Sequence, residues 1–488
     1  MTKTLFKRKA RRHRQWINPY TAVALGVGIM AASVVLAVNS IDVPPRQLAR
    51  YIEHRAAGHN TVVTALAGGV SKFFTAQDRK GDVRVTAQAM QVGAAVDAIP
   101  LKEDRIGARQ TIFVNSSAEA IRAIAEARPG DAITFMPGEY RFSGTAVSAS
   151  RVGEPSAPIW VRADRLGTVF LKLDMVEGFR VSAPHWRFEN LNIEGTCQDH
   201  SRCEHAIHVV GKAHHFIARN NVISDFNAHI KINGAGADFP DHGSIEGNTL
   251  TNLAVRNTDN PVTPIDLVAA SHWTIRRNLI SDFVKAQGNQ ISYGAFVKGA
   301  GSHNRMEQNL VLCEDKLRAP AMQRVGLSLG GGGTGSAFCR DGRCITEQQE
   351  SVIRENLIAH CSDDGIYLNK AAQSQVRQNV LIDTAGIAVR FAQSSAEISG
   401  NQVDGTIRQR DGALLRSADN DTTSGLGLFL GWHPVRRQFD DRGVLAGLTS
   451  RVQREDSDKG MESAARCLGL RTQQVVDKAS TSSKACQP

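Results

Sequence analysis

Seven short segments alternate apolar and polar residues, and their polar positions carry side chains able to bind or transform a sugar polymer. The segments are IHVVG from Ile207, IKING from Ile230, IDLVA from Ile265, AFVKG from Ala295, GLSLGG from Gly326, GIYLNK from Gly365 and GIAVRF from Gly386. If each segment is a β-strand, alternate side chains point to opposite faces. The side chains expected on the exposed face are His208, Lys231, Asn233, Asp266, Phe296, Lys298, Tyr367, Asn369 and Arg390.

Such a face suits an extended, hydroxyl-rich, anionic polymer. Amides and carboxylates hydrogen-bond hydroxyl groups, lysine and arginine pair with carboxylates, and aromatic rings stack on sugar faces. A lysine can also act as a general base once burial or neighbouring cations lower its pKa. The alternative interpretation is that these polar residues only protect an exposed sheet from pairing with another chain. The alternation leaves both interpretations open.

Asparagine marks the repeat that would hold these segments side by side. It precedes an apolar pair or near-pair at Asn190, Asn221, Asn248, Asn278, Asn309, Asn356, Asn379 and Asn401. Intervals of 22 to 47 residues are typical of solenoids and propellers, and a four-stranded propeller blade needs about 40 residues or more. Each repeat contains two or three short strands and no helix-length periodic segment. We therefore predict an all-β fold, a single-stranded right-handed parallel β-helix (β-solenoid) over residues 109–420, with its asparagines stacked as a ladder.

The N-terminus has the pattern of a membrane-targeting segment. Seven Lys and Arg residues and no acid lie within the first 16 residues, and residues 21–38 carry no charge. At 1.5 Å per residue this run spans roughly 27 Å, about the thickness of a bilayer core. We predict a basic cytoplasmic tail at 1–20 and a transmembrane signal anchor at 21–38. The protein would then be a single-pass cell-membrane protein with its body on the periplasmic or extracytoplasmic side, or a secreted protein if the segment is cleaved.

The rest of the chain limits the choice of partners and caps. The net charge is +10, but most of it lies in the basic tail, so the body lacks the positive surface of a nucleic-acid-binding protein. Residues 39–108 read as a linker with helical content. Residues 421–488 read as a helical or irregular C-terminal cap, which a solenoid needs to cover its last coil.

The cysteines agree with export. There are eight, and Cys197/Cys203 and Cys339/Cys344 are short-range pairs in polar loops. Such pairs are expected to form disulfides in an oxidising compartment. A zinc site is the weaker alternative, because no CxxC or nearby His pattern accompanies them. The pairing of the other four cysteines stays open.

Several motifs resemble a known family. The segments DAITFMPGEYRF, PSAPIWVRADRLGTVFL and WRFENLNIEG, followed by ISYGAFVKGAGSHNRMEQN, are similar to the coils of secreted right-handed β-helix polysaccharide lyases of the alginate lyase and chondroitinase B type. The resemblance covers roughly residues 110–420. It implies that Lys298 is the base that removes the proton α to a uronate carboxylate, and that calcium is a cofactor neutralising that carboxylate. No calcium ligand set is identified here. The family's leaving-group arginine is replaced by Gly330, which leaves Arg324, Tyr367 and Arg390 as candidates for its role.

Three functional hypotheses follow. The first is uronate β-elimination, with Lys298 as base and Tyr367, Arg390 or Arg324 handling the leaving oxygen and the carboxylate. The second is C5 epimerisation, which begins with the same proton abstraction. The third is a non-catalytic glycan-binding scaffold of the cell envelope. All three predict acidic polysaccharide as partner, a membrane contact through the N-terminal helix and no nucleic acid.

Overall fold

The computed structural model describes residues 43–81, 83–85, 92–96, 107–319, 322–331 and 333–440. The predicted cytoplasmic tail and transmembrane anchor, and the chain after residue 440, lie outside these ranges. Within them, no helix is long and apolar enough to cross a membrane. The described body is a parallel β-helix, as predicted, with strands from residue 110 to residue 422.

Three long parallel sheets run along the coil. Sheet A contains β1 (Gln110–Val114), β2 (Asp131–Phe135), β5 (Ile159–Ala163), β8 (Trp186–Glu189), β11 (Ile217–Arg219), β14 (Ser244–Glu246), β17 (Thr274–Arg276), β21 (Arg305–Glu307), β25 (Val352–Arg354), β29 (Ser374–Arg377), β32 (Ser395–Ser399) and β35 (Leu414–Ala418). Sheet B contains β3 (Gly138–Ser143), β6 (Val169–Asp174), β9 (Asn192–Gly195), β12 (Val222–Ser224), β15 (Thr249–Thr251), β18 (Leu279–Ser281), β22 (Leu310–Leu312), β26 (Leu357–Ala359), β30 (Val380–Ile382), β33 (Gln402–Val403) and β36 (Asp421–Thr422). Sheet C contains β4 (Val147–Ala149), β7 (Glu177–Val181), β10 (His205–Val210), β13 (Ala228–Asn233), β16 (Ile265–Val268), β19 (Ile291–Lys298), β23 (Gln323–Leu329), β27 (Ile366–Asn369), β31 (Gly386–Arg390) and β34 (Thr406–Arg410).

A small sheet and five helices complete the described body. The small sheet contains β20 (Gly301–Ser302), β24 (Gln348–Gln349) and β28 (Ala371–Ala372). The helices are α1 (Pro45–Ala56), α2 (Thr61–Asp78), α3 (Ser117–Glu126), α4 (Gly425–Leu430) and α5 (Pro434–Asp440). Helix α3 packs on β1, β2 and β4. Helix α2 packs on α4, where the rings of Phe74 and Phe429 meet edge to face with their centroids 5.4 Å apart.

Alternation along the strands of sheet C fills the core. The residues predicted to point inward are fully buried, and they are Ile230, Ile232, Ile265, Leu267, Ile366, Leu368, Ile387 and Val389. Burying one such side chain contributes about 1.5–3 kcal/mol. The same alternation sends the intervening polar residues to the outer face of the sheet.

A buried asparagine ladder stands at the turn between sheets A and B. Each ladder residue donates from Nδ2 to Oδ1 of the next at 2.8–3.1 Å. The members are Asn221, Asn248, Asn278, Asn309, Asn356, Asn379, Asn401 and Asn420. The prediction for Asn190 was wrong by one residue, because Asn190 occupies the left-handed position before the ladder, with φ 59°. Leu191 takes the ladder position in that coil, and its N–H donates to Asn221 at 3.0 Å.

The disulfides confirm the two predicted loop pairs, Cys197–Cys203 and Cys339–Cys344. A third disulfide, Cys313–Cys361, joins two coils and resolves part of the pairing that the sequence left open. Cys467 and Cys486 lie outside the described residues.

Five exposed or half-buried histidines form a stack at the turns that enter sheet A. His185, His215, His242, His272 and His303 all have left-handed backbone, and consecutive ring centroids are 4.6–5.2 Å apart. Burial, and then the charge of neighbouring imidazoles, lowers the pKa of His185, His215 and His272. The stacked arrangement therefore favours the neutral form of these imidazole rings over the protonated form.

We expect the stack to make folding stability depend on pH. Because the folded-state pKa values lie below the ordinary value of about 6.5, the unfolded chain binds more protons, so stability falls as the pH decreases through 6.5 and below. His272→Asn interrupts the stack, and asparagine tolerates the left-handed backbone. The thermal midpoint of this variant should fall less between neutral and mildly acidic pH than that of the wild type. Parallel pH profiles for the two proteins would contradict this.

Asn309 is the ladder position whose loss should be most damaging. Asn309→Leu would remove the acceptor of the buried Asn278 N–H and the side-chain donor to the backbone oxygen of Ile275. Unsatisfied buried groups cost about 1–3 kcal/mol each, so the free energy of unfolding should fall by roughly 2–5 kcal/mol in denaturant titrations. The exposed Asn257→Ala serves as control and should change it by less than about 0.5 kcal/mol. A similarly small effect for Asn309→Leu would contradict a stabilising ladder.

Candidate functional site

The outer face of sheet C carries two rows of side chains in register. The first, the Lys231 row, follows backbone pairing through His208, Lys231, Asp266, Phe296, Ser328, Tyr367, Ala388 and Arg408. The second, the Lys298 row, contains Asn233, Val268 and Lys298 on β13, β16 and β19, and Asn369, Arg390 and Arg410 on β27, β31 and β34. Successive strands are about 4.8 Å apart, so the residues predicted to face outward form one continuous strip.

The first half of the strip is a network of paired charges. Lys231 Nζ lies 2.5 Å from Asp266 Oδ2. His208 lies 3.0 Å from Glu177 on its Nδ1 side and 2.7 Å from Asn233 Oδ1 on its Nε2 side. The hydrogen bond from His208 lowers the pKa of Glu177 to about 2. Burial alone would raise the pKa of Asp266, but Lys231 and Lys298 outweigh it and hold that pKa below its ordinary value.

Lys298 differs from these residues because it has no carboxylate partner within ion-pair distance in the described chain. Its ammonium lies 4.2 Å from the centroid of the Phe296 ring, a cation–π contact. The side chain is half-buried. Burial, reinforced by the charge of Lys231 and opposed by Asp266, lowers the pKa of Lys298. A lysine in this state can be deprotonated near neutral pH more readily than an exposed one.

The side chain of Lys298 lines a cavity of about 390 Å³, here called cavity 1. Its lining is Lys231, Asn233, Gly234, Gly236, Phe239, Val268, Lys298, Gly333, Thr334, Gly335, Ala337, Phe338 and Cys339. One wall is the glycine-rich segment leading into the Cys339–Cys344 loop. Arg340 fixes this loop by pairing with Asp241 at 2.7 Å. Buried Glu347 fixes its base by accepting from Gly331 N at 3.2 Å and Thr334 Oγ1 at 3.1 Å.

The structure explains why glycine stands where the resembling family has an arginine. A Cβ on Gly330 would lie 1.9 Å from the backbone oxygen of Asn369, and φ there is +69°. A Cβ on Gly331 would lie 2.0 Å from Phe296 Cζ. There is therefore no space for a side chain at positions 330 and 331. Phe296 and Lys298 occupy the adjoining space.

Two buried acceptors on the strip lack hydrogen-bond partners within the described residues. They are Oδ1 of Asp266 and Oδ1 of Asn369, and both residues are less than one-tenth exposed. Unpaired buried acceptors are unusual in folded proteins.

Tyr367 and Arg390 lie two and three strands beyond Lys298 and line a separate cavity of about 350 Å³, here called cavity 2. Tyr367 OH accepts from Asn369 Nδ2 at 3.0 Å, and Arg390 pairs with Asp411. Burial raises the pKa of Tyr367, although Arg390 opposes the shift. The predicted single constellation of Lys298, Tyr367 and Arg390 is thus divided between two cavities, because β23 contributes only Ser328 and glycine between them.

Arg324 does not reach the strip. Its side chain is fully buried and pairs with Glu314, and Nη1 donates to Ala319 O at 2.8 Å. Burial lowers the pKa of Arg324 to about 10. The prediction that Arg324 assists the leaving oxygen is therefore wrong, because its position on β23 faces the interior and not the groove.

The calcium that the resemblance implies does not fit this strip. Across the described ranges, no group of three or more His, Cys, Asp or Glu side chains is arranged to hold a metal ion. Beside Lys298 the carboxylate of the strip, Asp266, is already engaged by Lys231.

The sequence analysis did not identify several residues of the two cavities. Glu347 lies in a loop, Asp363 and Asp364 precede β27, and Gln47 and Arg50 come from α1. The Asp363–Asp364 pair was detectable as a carboxylate pair directly before a predicted strand. The contribution of α1 could not be detected from the sequence, because it depends on contacts between residues more than 300 positions apart.

Comparison with known proteins agrees with this architecture. Residues 265–423 match the family model described as a right handed beta helix region. Among solved structures, the chain is similar to pectate lyase Pel9A (13% identity, 65% of this chain and 80% of that chain, TM-score 0.42). It is also similar to alginate lyase from Paenibacillus sp. str. FPU-7 (14%, 64% and 99%, TM-score 0.38) and to Geobacillus virus E2 ORF18 (10%, 75% and 63%, TM-score 0.43). A comparison with curated proteins finds no match.

Substitution within the glycine run tests the construction of cavity 1. Gly330→Ala places a methyl group against backbone at a left-handed position, so we expect a loss of stability of roughly 3 kcal/mol or more in denaturant titrations. Gly333→Ala is the matched control, because a Cβ there has nothing within 4 Å. Equal stability of the two variants would contradict the close approach of the Gly330 and Asn369 backbones.

Proposed function

We propose that this protein binds an acidic polysaccharide along the outer face of sheet C and cleaves it by β-elimination at Lys298. The observation that carries the proposal is the Lys298 ammonium, half-buried and without a carboxylate partner, at an open cavity. Next to it, Asp266 Oδ1 is buried and has no hydrogen-bond partner among the described residues. Lys231, which pairs with Asp266, lines the same cavity.

In the proposed reaction, neutral Lys298 Nζ removes the proton at C5 of a uronate residue. The electron pair forms the C4–C5 double bond, the C4–O bond breaks, and the leaving oxygen takes up a proton from water. Negative charge develops on the carboxylate in the transition state, and Lys231 lies on the same face to stabilise it. Phe296 holds the lysine stem and partly excludes water from the ammonium.

Export is part of this proposal. Three disulfides among the described residues are typical of an oxidising compartment. We propose that residues 21–38 anchor the protein in the membrane with the β-helix outside the cytoplasm.

A non-catalytic glycan-binding scaffold is the second candidate. It is favoured by the burial of Arg324 and by the position of Tyr367 and Arg390 in a separate cavity, so that none of these three candidate acids for the leaving oxygen lies in cavity 1 with Lys298. In a scaffold, Lys298 would serve only as one of several cations along the groove.

Lys298→Met separates these candidates. Methionine retains the packing on Phe296 but removes the base, so we expect turnover of alginate, pectate or glycosaminoglycan to fall by about 100-fold or more, as for loss of a general base. Turnover is followed by the ultraviolet absorbance of the unsaturated product. Below the pKa of Lys298, wild-type activity should rise with pH as the amine loses its proton.

The control is Lys172→Met on sheet B, which should leave turnover unchanged. If the wild type binds these polymers but generates no unsaturated product, lysis is excluded and the scaffold remains. Deuterium uptake from solvent without chain cleavage would instead indicate epimerisation.

A further inference from the structure

Cavity 2 is built partly by a helical hairpin far from it in sequence. The hairpin α1–α2 is held on the β-helix by Arg46, which pairs with Asp78 at 2.7 Å and with Asp383 at 3.1 Å. Arg46 Nη1 also donates to Cys361 O at 2.8 Å. Because Arg46 is buried, this contact positions the start of α1 firmly beside β27 and β31.

From this position, α1 contributes Gln47 and Arg50 to the lining of cavity 2. Arg50 Nη2 donates to Ser362 O at 2.8 Å. The opposite side is formed by Arg390 and Arg410, with Tyr293 and Tyr367 presenting aromatic rings. Three arginines and two tyrosines thus surround a space of about 350 Å³.

The two acids of cavity 2 are already bound by the protein. The carboxylate of Asp363 accepts from the side-chain amides of Gln47 and Gln323 and pairs with Arg50 at 3.7 Å. That of Asp364 pairs with Arg408. In contrast, the guanidinium of Arg410 forms no ion pair or hydrogen bond within the part of the chain that the structure describes. The charge in cavity 2 that has no partner in the protein is therefore positive, as a carboxylate-binding site requires.

Arg390 and Arg410 also lie in the Lys298 row, on β31 and β34. At about 4.8 Å per strand, they stand roughly 14 and 19 Å along the groove from Lys298. Asn369, whose Oδ1 is unpaired, lies between them and Lys298. A single extended polymer can therefore contact both cavities.

We propose that cavity 2 is a second carboxylate-binding subsite that holds another acidic sugar residue of the same polymer. Arg410 binds the carboxylate, Arg50 lines the same space while it pairs with Asp363, and Tyr293 and Tyr367 pack on the sugar ring. This inference rests on the proposed function, because it requires an acidic polysaccharide in the groove. It assigns to α1 a direct part in binding and predicts that affinity depends on ligand length.

The test is calorimetric titration with uronate oligosaccharides, from disaccharide to hexasaccharide, of the full chain carrying Lys298→Met to prevent cleavage. Affinity should increase once the oligosaccharide is long enough to reach from cavity 1 to cavity 2. Adding Arg410→Gln should remove that increase, a loss of roughly tenfold or more for a charge-assisted contact. The shortest oligosaccharides that bind should be little affected.

Two further variants keep the test decisive. Arg416→Gln, at an exposed arginine on sheet A, is the control and should retain the full dependence on length. Ala388→Leu fills the floor of cavity 2 without removing a polar group, so it should also abolish the increase if an arginine variant fails to fold.

The outcomes distinguish the two proposals. If the parent protein binds and the cavity 2 variants retain its length dependence within about twofold, the second subsite is wrong and the proposed function stands. If no uronate oligosaccharide binds the parent protein or the wild type, the proposed function fails and this inference fails with it.

Discussion

The vertical register of the coils is the constraint on which the rest of this structure depends. Buried asparagines, each bonded to the next through side chain and backbone, set one coil directly above another. A slip of one residue would turn the apolar side chains of sheet C outward and bury its charges. Because the register holds, residues from seven separate segments form one strip. The groove is thus a consequence of the ladder at the opposite side of the coil.

The strip contains charged side chains that pair with one another and others that have no such partner in the described residues. Lys231, Asp266, His208 and Glu177 satisfy one another, which makes this part of the surface rigid and already paired before any ligand arrives. Lys298 and Arg410 remain without such partners in the described residues. Unpaired cations at intervals along a groove match an anionic polymer with repeated carboxylates better than a single small ligand. This arrangement is the reason why we favour polymer binding over a purely protective polar surface.

The wall of cavity 1 is formed partly by closely packed backbone, where a larger side chain would not fit. Gly330 and Gly331 let the chain pass against Asn369 and Phe296, and Glu347 then fixes the wall. The cavity is consequently shaped by glycine, a disulfide loop and one buried carboxylate.

The sequence alone determined the coil. Period, alternation and recurrent asparagine are local properties, and they identified the parallel β-helix, the inward residues, the outward strip and two disulfides. The one-residue error at Asn190 arose because this coil has leucine at the ladder position, and only the hydrogen bonds to Asn220 and Asn221 show that Asn190 aligns with Asn220 and Leu191 with Asn221. The tertiary structure decided what depends on contacts between distant residues. Arg324 points inward and pairs with Glu314. Tyr367 and Arg390 lie in a different cavity from Lys298, and α1 contributes to cavity 2. Loop lengths and charge pairs between distant residues set these positions, and neither leaves a local pattern in the sequence.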